Sequence, residues 1–222
     1  MESPPTATRA VSRALDLLGW VATSDGLTLA DAARLSNLPT STALRLIRTL
    51  EAGEFISRSE DGICVAGPRV LAIGTAALTG LPLYSLAKAH VEALAAETGE
   101  SCYLAVPGPD DTALYALQVE SGWAVRHSSW VGRTVPLRGT AVGAALRDET
   151  DLDGCAALRE TLEPDVTAVS GSIFGASGAV VGALSVVGPT YRISDEDLGG
   201  YRALISKHAR LLSGQLGWEG RS

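Results

Sequence analysis

The residues best equipped for chemistry lie between 39 and 52. On a helical wheel Ser41, Thr42, Arg45, Arg48 and Thr49 share one side, and Ala43, Leu46, Ile47 and Leu50 share the other. Small hydroxyls at the start of a helix, with a guanidinium one turn on, suit base edges in a DNA major groove. Arg45 is four residues from Ser41, so it can grip guanine through two hydrogen bonds or clamp a phosphate. Arg48, a turn further, is placed for a backbone phosphate. Arg58, in a following hairpin, can reach a flanking phosphate. Thr28 opens the preceding helix, where hydroxyl and backbone N–H groups can meet another. Arg9 and Arg13 are weaker candidates. The competing reading is an amphipathic helix whose polar face is only solvated.

Other chemistry finds little support. His90, His127 and His208 stand isolated in the sequence, with no nucleophile beside them. Cys64, Cys102 and Cys155 have no CxxC spacing, which argues against a zinc knuckle and a disulfide framework. No glycine loop of the phosphate-binding kind occurs. The expectation is a protein that is not an enzyme and holds no metal or cofactor.

The elements that must position these residues follow from spacing. Residues 8–22 repeat apolar positions at helical intervals, and Ser24-Asp25-Gly26 ends that helix. Thr28 is a natural N-cap with Asp31 three residues on. A short helix over 29–35 follows, then the turn Ser36-Asn37-Leu38. Pro39 suits the first position of a helix over 39–52, and Gly53 closes it. Asp61-Gly62 between β-prone runs at 55–58 and 63–65 predicts a hairpin. Another helix is expected over 68–78. The order is that of a winged helix-turn-helix with a linker helix behind it.

Beyond Gly80-Leu81-Pro82 the pattern mixes helices and strands. Helices are expected over 83–98, 139–146, 151–162 and 194–216, the last capped by Ser194. Strands are expected over 101–106, 113–119 and 124–130, with a hairpin of 166–174 and 179–187. The fold class is therefore α+β. We expect three parts: a DNA-binding domain over 1–66, a linker helix over 67–82 and an effector and oligomerisation domain over 83–222.

Charge divides along the same line. Residues 1–80 carry seven arginines against eight acids, while the remainder carries eleven Lys or Arg against seventeen acids. The first part is near neutral and the second acidic, as in a DNA reader joined to a module that avoids phosphates. No apolar run approaches membrane-spanning length, and the Pro-rich start, expected to be disordered, has no signal-peptide core. We expect a cytoplasmic protein.

The stretch Leu38-Pro39-Thr40-Ser41-Thr42-Ala43-Leu44-Arg45-Leu46-Ile47-Arg48-Thr49-Leu50 resembles the recognition helix of the IclR family of bacterial regulators. Supporting segments run along nearly the whole chain: Ala10 to Leu15, Gly67-Pro68-Arg69-Val70-Leu71, Thr98-Gly99-Glu100-Ser101, Pro136 to Gly143, and Ala183 to Pro189. The resemblance implies a GAF-like antiparallel-sheet effector domain. It also implies a homodimer or dimer of dimers on a palindromic double-stranded operator, and no enzymatic activity. It places effector contacts at Gly139, Thr140 and Ala141 in a loop and at Ser170, Ser172 and Ser185 on the sheet. Three departures stand out. Thr40 replaces a lysine, removing one phosphate contact. Arg138 and Ala144 replace a histidine and a lysine of the effector loop. The stretch from Leu146 to Val166 is shortened, leaving the pocket open, reshaped or vestigial.

Ser170 and Ser172 alternate along one strand, so both face one side, and Ser185 can share it. Three hydroxyls in an apolar cup, with Trp123 and Trp130 as aromatic wall, would suit a small organic acid or aromatic effector. Two alternatives stand beside this. The serines can pair within the sheet and the tryptophans pack in the core, giving a ligand-independent regulator. Or the chain is a GAF-like sensor or oligomeric interaction protein whose first domain mainly dimerises.

Overall fold

The computed structural model describes residues 8–127 and 129–220. The Pro-rich start lies outside them. The chain divides into two compact units, one ending at Leu78 and one beginning at Thr79.

The first unit runs α1 (Arg9–Ala22), α2 (Leu29–Leu35), α3 (Thr40–Ala52), β1 (Ile56–Arg58), β2 (Cys64–Ala66) and α4 (Pro68–Thr79). Leu17 and Val21 of α1 close over Ala32, Ala33, Ala43 and Ile47 of the next two helices. The small alanines let those helices approach closely. Thr28 Oγ1 accepts the Asp31 N–H at 3.1 Å and so starts α2. Asn37, at φ 50°, makes the tight turn, and the Leu38 N–H returns to the Ala33 carbonyl at 2.9 Å. Pro39 is not the first helical residue. It is the extended N-cap, and its carbonyl accepts the Thr42 and Ala43 N–H groups. The β1–β2 hairpin forms around Asp61-Gly62. A reciprocal backbone pair, Leu27 with Cys64 at 2.8 and 2.9 Å, fastens it to the approach to α2.

The second unit holds α5 (Pro82–Thr98), β3 (Ser101–Pro107), β4 (Thr112–Val119), β5 (Thr134–Pro136), α6 (Ala141–Leu146), β6 (Cys155–Arg159), β7 (Val166–Phe174), β8 (Val180–Pro189) and α7 (Asp195–Gln215). The six strands lie antiparallel in the order β5-β4-β3-β8-β7-β6. Residues 182–189 of β8 are buried without interruption, because both faces of the sheet are covered. α5 and α7 cover one face: a side chain at Gly171 would strike Ile205, and one at Gly182 would press on Leu83. α6 covers the other, with Val142 and Ala145 against Tyr103, Ala105 and Ala183. Gly143 lies so close to the Leu137 backbone that no side chain fits.

Two expected elements differ. Residues 124–130 form no strand; the third strand is the short β5. Residues 122–126 are all exposed, so that segment has no face to bury, and side chains shape it instead. The Trp123 N–H donates to Ser121 Oγ, and Arg126 pairs with Glu120 at 2.9 Å. Residues 151–162 are not a helix either. Asp151 and Asp153 clamp Arg202 at 2.7 Å each, Gly154 turns the chain at φ 78°, and residues 155–159 pair with β7 as the edge strand β6. Burial alone would raise the Asp153 carboxyl, but the Arg202 hydrogen bonds hold it below the usual range.

One ion pair ties the unit together. Glu100, only 2% exposed, accepts from Arg192 Nε and Nη2, the latter at 2.7 Å. Arg192 Nη1 donates to the Val125 carbonyl at 3.1 Å. Glu100→Gln should cost about 3 kcal/mol, the lower end for breaking a buried pair, because Arg192 is partly solvated. Urea unfolding of the variant and the parent checks this.

Candidate nucleic-acid interface and ligand cup

α3 presents the residues singled out in the sequence. Thr40, Ser41, Arg45 and Arg48 are exposed, and Thr42 is half-buried. Neither Arg45 nor Arg48 makes an ion pair among the described residues. The other guanidinium groups near this surface are engaged. Arg34 pairs with Asp31 at 3.2 Å, Arg58 of the wing with Glu51 of α3 at 3.7 Å, and Arg69 with Glu54 at 4.0 Å. Arg69 also lies over the Phe55 ring. The Thr28 hydroxyl is spent locally, donating to Asp31 Oδ2 at 2.7 Å while accepting the Asp31 N–H. The Arg34 and Thr28 hydrogen bonds hold Asp31 below its ordinary carboxyl range, Thr28 having the larger effect.

The effector residues meet a different fate. Ser170 Oγ and Ser185 Oγ are buried and lie 2.7 Å apart across β7 and β8. Ser172 Oγ donates to the Ala145 carbonyl of α6 at 2.7 Å. All three hydroxyls are thus used, two within the sheet and one between sheet and helix. The cavity on this face is a cup of only about 30 Å³, and none of these serines lines it. Thr140, Ala141 and Trp130 do; Gly139, at φ 73°, sits in the turn just before them. Thr140 Oγ1 caps α6 by accepting the Gly143 N–H at 3.1 Å, and donates to the Pro136 carbonyl. Trp123 is 55% exposed beneath Arg192 and is no wall of the cup.

Sequence reasoning placed Trp130 here but missed Tyr103, Tyr115, His127 and Glu163. The cup is walled by Tyr115, Trp130 and His127, and Glu163 stands in its rim. Tyr103 Oη lies 2.6 Å from His127 Nδ1. The aromatic rings pack in series: Tyr103 on Tyr115, Tyr115 on Trp130, and Trp130 on His127 at 4.5 Å. His127 is therefore not isolated. Its Nε2 is buried without a hydrogen-bond partner, 3.6 Å from Glu163 Oε2. Burial pushes the His127 pKa down, and Glu163 opposes that only in part. His90 and His208 are not isolated either. Their Nδ1 atoms are 3.0 Å apart between α5 and α7, and His208 Nε2 lies 3.2 Å from Glu97. No local pattern signals these pairs, since the partners are far apart in sequence. The three cysteines are buried, and desolvation pushes the Cys102 and Cys155 thiols up to about 12. Among the described residues no three His, Cys, Asp or Glu side chains gather as a metal site. No single helix among them is long and apolar enough to cross a membrane.

A winged helix-turn-helix followed by a helix-covered antiparallel sheet defines a DNA-binding transcriptional regulator. The model of the IclR helix-turn-helix domain matches residues 10–60. That of the bacterial transcriptional regulator IclR C-terminal domain matches residues 75–151 and 147–214. The chain belongs to the IclR family of bacterial transcriptional regulators. The HTH-type transcriptional regulator BhcR of Paracoccus denitrificans is 27% identical over 241 aligned residues, covering 92% of this chain and 86% of that one. The transcriptional repressor IclR of Escherichia coli is 29% identical, over 62% of this chain and 51% of its own. An IclR regulator from Alicyclobacillus acidocaldarius has the same fold at a TM-score of 0.83 and 23% identity, covering 95% of this chain and all of that one. An IclR homologue from Microbacterium hydrocarbonoxydans, solved with 4-hydroxybenzoate, scores 0.74 at 21% identity, covering 93% and 98%. These relatives are regulators, and the chain is one too, not an enzyme. The C-terminal match falls into two pieces that overlap at 147–151, in the link between α6 and β6.

His127 should shape the acid side of stability. Its folded pKa lies below the ordinary 6.5, so on acidification the unfolded chain takes up that proton first. Stability from this group is complete above pH 6.5 and declines as pH falls below it. In His127→Phe this part of the decline should vanish, as thermal midpoints measured between pH 7.5 and 5 will show.

Proposed function

We propose that this regulator binds a palindromic operator as a homodimer or dimer of dimers, with α3 in the major groove. Its place of action is the cytoplasm, where the DNA is. The observation that carries this reading is the pair of unengaged guanidinium groups on α3. Arg45 reads a base edge, Ser41 and Thr42 flank it, and Arg48 holds a phosphate. Arg58 can leave its exposed pair with Glu51 for a flanking phosphate at a cost of less than about 1 kcal/mol. Thr28 and Thr40 approach the backbone at the ends of their helices, and Thr40 carries no charge there. Arg45→Ala should weaken operator binding by about 1–3 kcal/mol and relax sequence preference. Arg48→Ala should weaken all DNA about equally and lower the salt slope by about 1. Binding titrations at two salt concentrations, on operator and scrambled duplexes, separate the two.

Assembly rests on α4 and α1. α4 has no buried side chain although Leu71 and Ile73 lie on it, 64% and 56% exposed. Val11 and Leu15 form an exposed apolar pair one turn apart on α1. A helix apolar around its circumference normally has a partner, and a second copy meets the two-fold symmetry of a palindrome. Leu71→Asp with Ile73→Asp should shift the protein to monomer in light-scattering chromatography and cost operator affinity.

The cup beside α6 is the place for a small effector that modulates DNA binding; the IclR homologue solved with 4-hydroxybenzoate supports a small-molecule ligand for a regulator of this kind. Its volume of about 30 Å³, near that of one water, favours the second reading of a regulator without a ligand unless the rim opens.

A further inference from the structure

The lining of the cup carries chemistry of its own. Among the described residues Glu163 is its one charged side chain, and no Lys or Arg lines it. The walls are the rings of Tyr115 and Trp130 and the edge of His127. The start of α6 is already capped by Thr140, and the three sheet serines are paired. A carboxylate entering here would face Glu163 with no cation to answer it, at a cost in so desolvated a place.

We infer that the cup takes a small primary amine, its nitrogen held between His127 Nε2 and Glu163 Oε2 and its apolar body against Tyr115 and Trp130. This rests on the reading of the cup as an effector site and names its ligand class. The two atoms are 3.6 Å apart, lack a hydrogen bond to each other, and both border the cup. One nitrogen about 2.9 Å from each can donate to both. In this role His127 accepts at Nε2, so Nδ1 carries the ring proton and donates it to Tyr103 Oη. The aromatic faces add a cation–π attraction that a carboxylate cannot use. The histidine is 7% exposed and so desolvated that pairing it with a donor is favourable.

Admission requires the β6–β7 turn to swing out. Glu160 and Asp165 bound it at φ 55° and 58°, a left-handed conformation unusual for residues with side chains. Its plug, Leu162, lines the cup yet is 42% exposed. Displacing Leu162 makes room for a ring while leaving Glu163 at the rim.

The test uses the full chain with three matched probes, benzylamine, benzyl alcohol and benzoate, followed by thermal shift and by titration calorimetry. Benzylamine should raise the thermal midpoint with concentration, as a ligand of the folded state does, and benzoate should not. Glu163→Gln, at a half-exposed position, should fold normally and bind benzylamine at least tenfold more weakly. Benzoate binding in place of benzylamine overturns the inference while leaving the cup a ligand site. An amine response unchanged in Glu163→Gln overturns it as well, since the amine then binds elsewhere. If none of the three probes binds, the effector reading falls with it. Operator binding by wild type and Arg45→Ala is read separately and does not depend on any of these outcomes.

Discussion

The second unit depends on a carboxylate that cannot stand alone. Glu100 is buried at the entrance to β3, where an unpaired negative charge would be far too costly to keep. Arg192, in the short turn between β8 and α7, satisfies both its oxygens. Gly188 makes the geometry possible, because a side chain there would come within 2.6 Å of the carboxylate. The guanidinium has one more direction to donate, and it spends it on the Val125 carbonyl. Residues 121–127 owe part of their course to this pair, beside the Ser121 and Arg126–Glu120 contacts. They carry His127 to Tyr103, with Trp130 beyond it. An interaction at one end of the sheet thus helps to hold the segment that leads to a wall of the cup.

Coverage of the sheet on both faces explains what became of the serines. A hydroxyl buried between strands and helix has no water to bond and must find a protein partner. Ser170 and Ser185 are directly opposed in the ladder, so they find each other. Ser172 is opposite Ala183, which offers nothing, and it bonds the Ala145 carbonyl of α6 instead. That bond joins the close backbone contact of Gly143 with Leu137 in drawing α6 down onto the sheet. Of the hydroxyls that look like ligand contacts in the sequence, Ser172 thus helps to hold the helix in place, and the other two satisfy each other within the sheet.

Much of the first unit was legible because its signals are local. Thr28 with Asp31, Ser36-Asn37-Leu38, Asp61-Gly62 and the two-faced α3 each state their own geometry within a few residues. The long strands β7 and β8 and the capped α7 were legible for the same reason. The errors fall where long-range contacts override local pattern. Residues 151–162 have helix-forming composition, yet Arg202, some fifty positions on, captures Asp151 and Asp153, and the open edge of β7 recruits 155–159. Residues 124–130 are expected as a strand, but none of the described residues among them pairs with a neighbouring strand. The cup was the least legible part. Tyr103, Tyr115, His127, Trp130 and Glu163 come from separate segments, and only the tertiary fold makes them neighbours. No spacing rule connects them.

The charge balance of the first unit constrains how such a protein can hold DNA. Seven arginines face eight acids over residues 1–80, and three of the seven are held by Asp31, Glu51 and Glu54. Little is left for a diffuse basic surface, which is the usual source of non-specific affinity. A reader of this kind gains little from merely being near DNA. Its free energy must come from a few placed contacts, each lost when the sequence is wrong. One α3 carries only two such guanidinium groups, of which only Arg45 is proposed to read a base, and at about 1–3 kcal/mol for a good base contact a single copy falls short of a specific site's usual advantage of about 4–10 kcal/mol. Two copies on one palindrome double the contacts while sharing the cost of association. On the proposed reading of a paired regulator, the exposed apolar α4 and the sparse charge of α3 serve one design, in which specificity is obtained by pairing and not by attraction to phosphate.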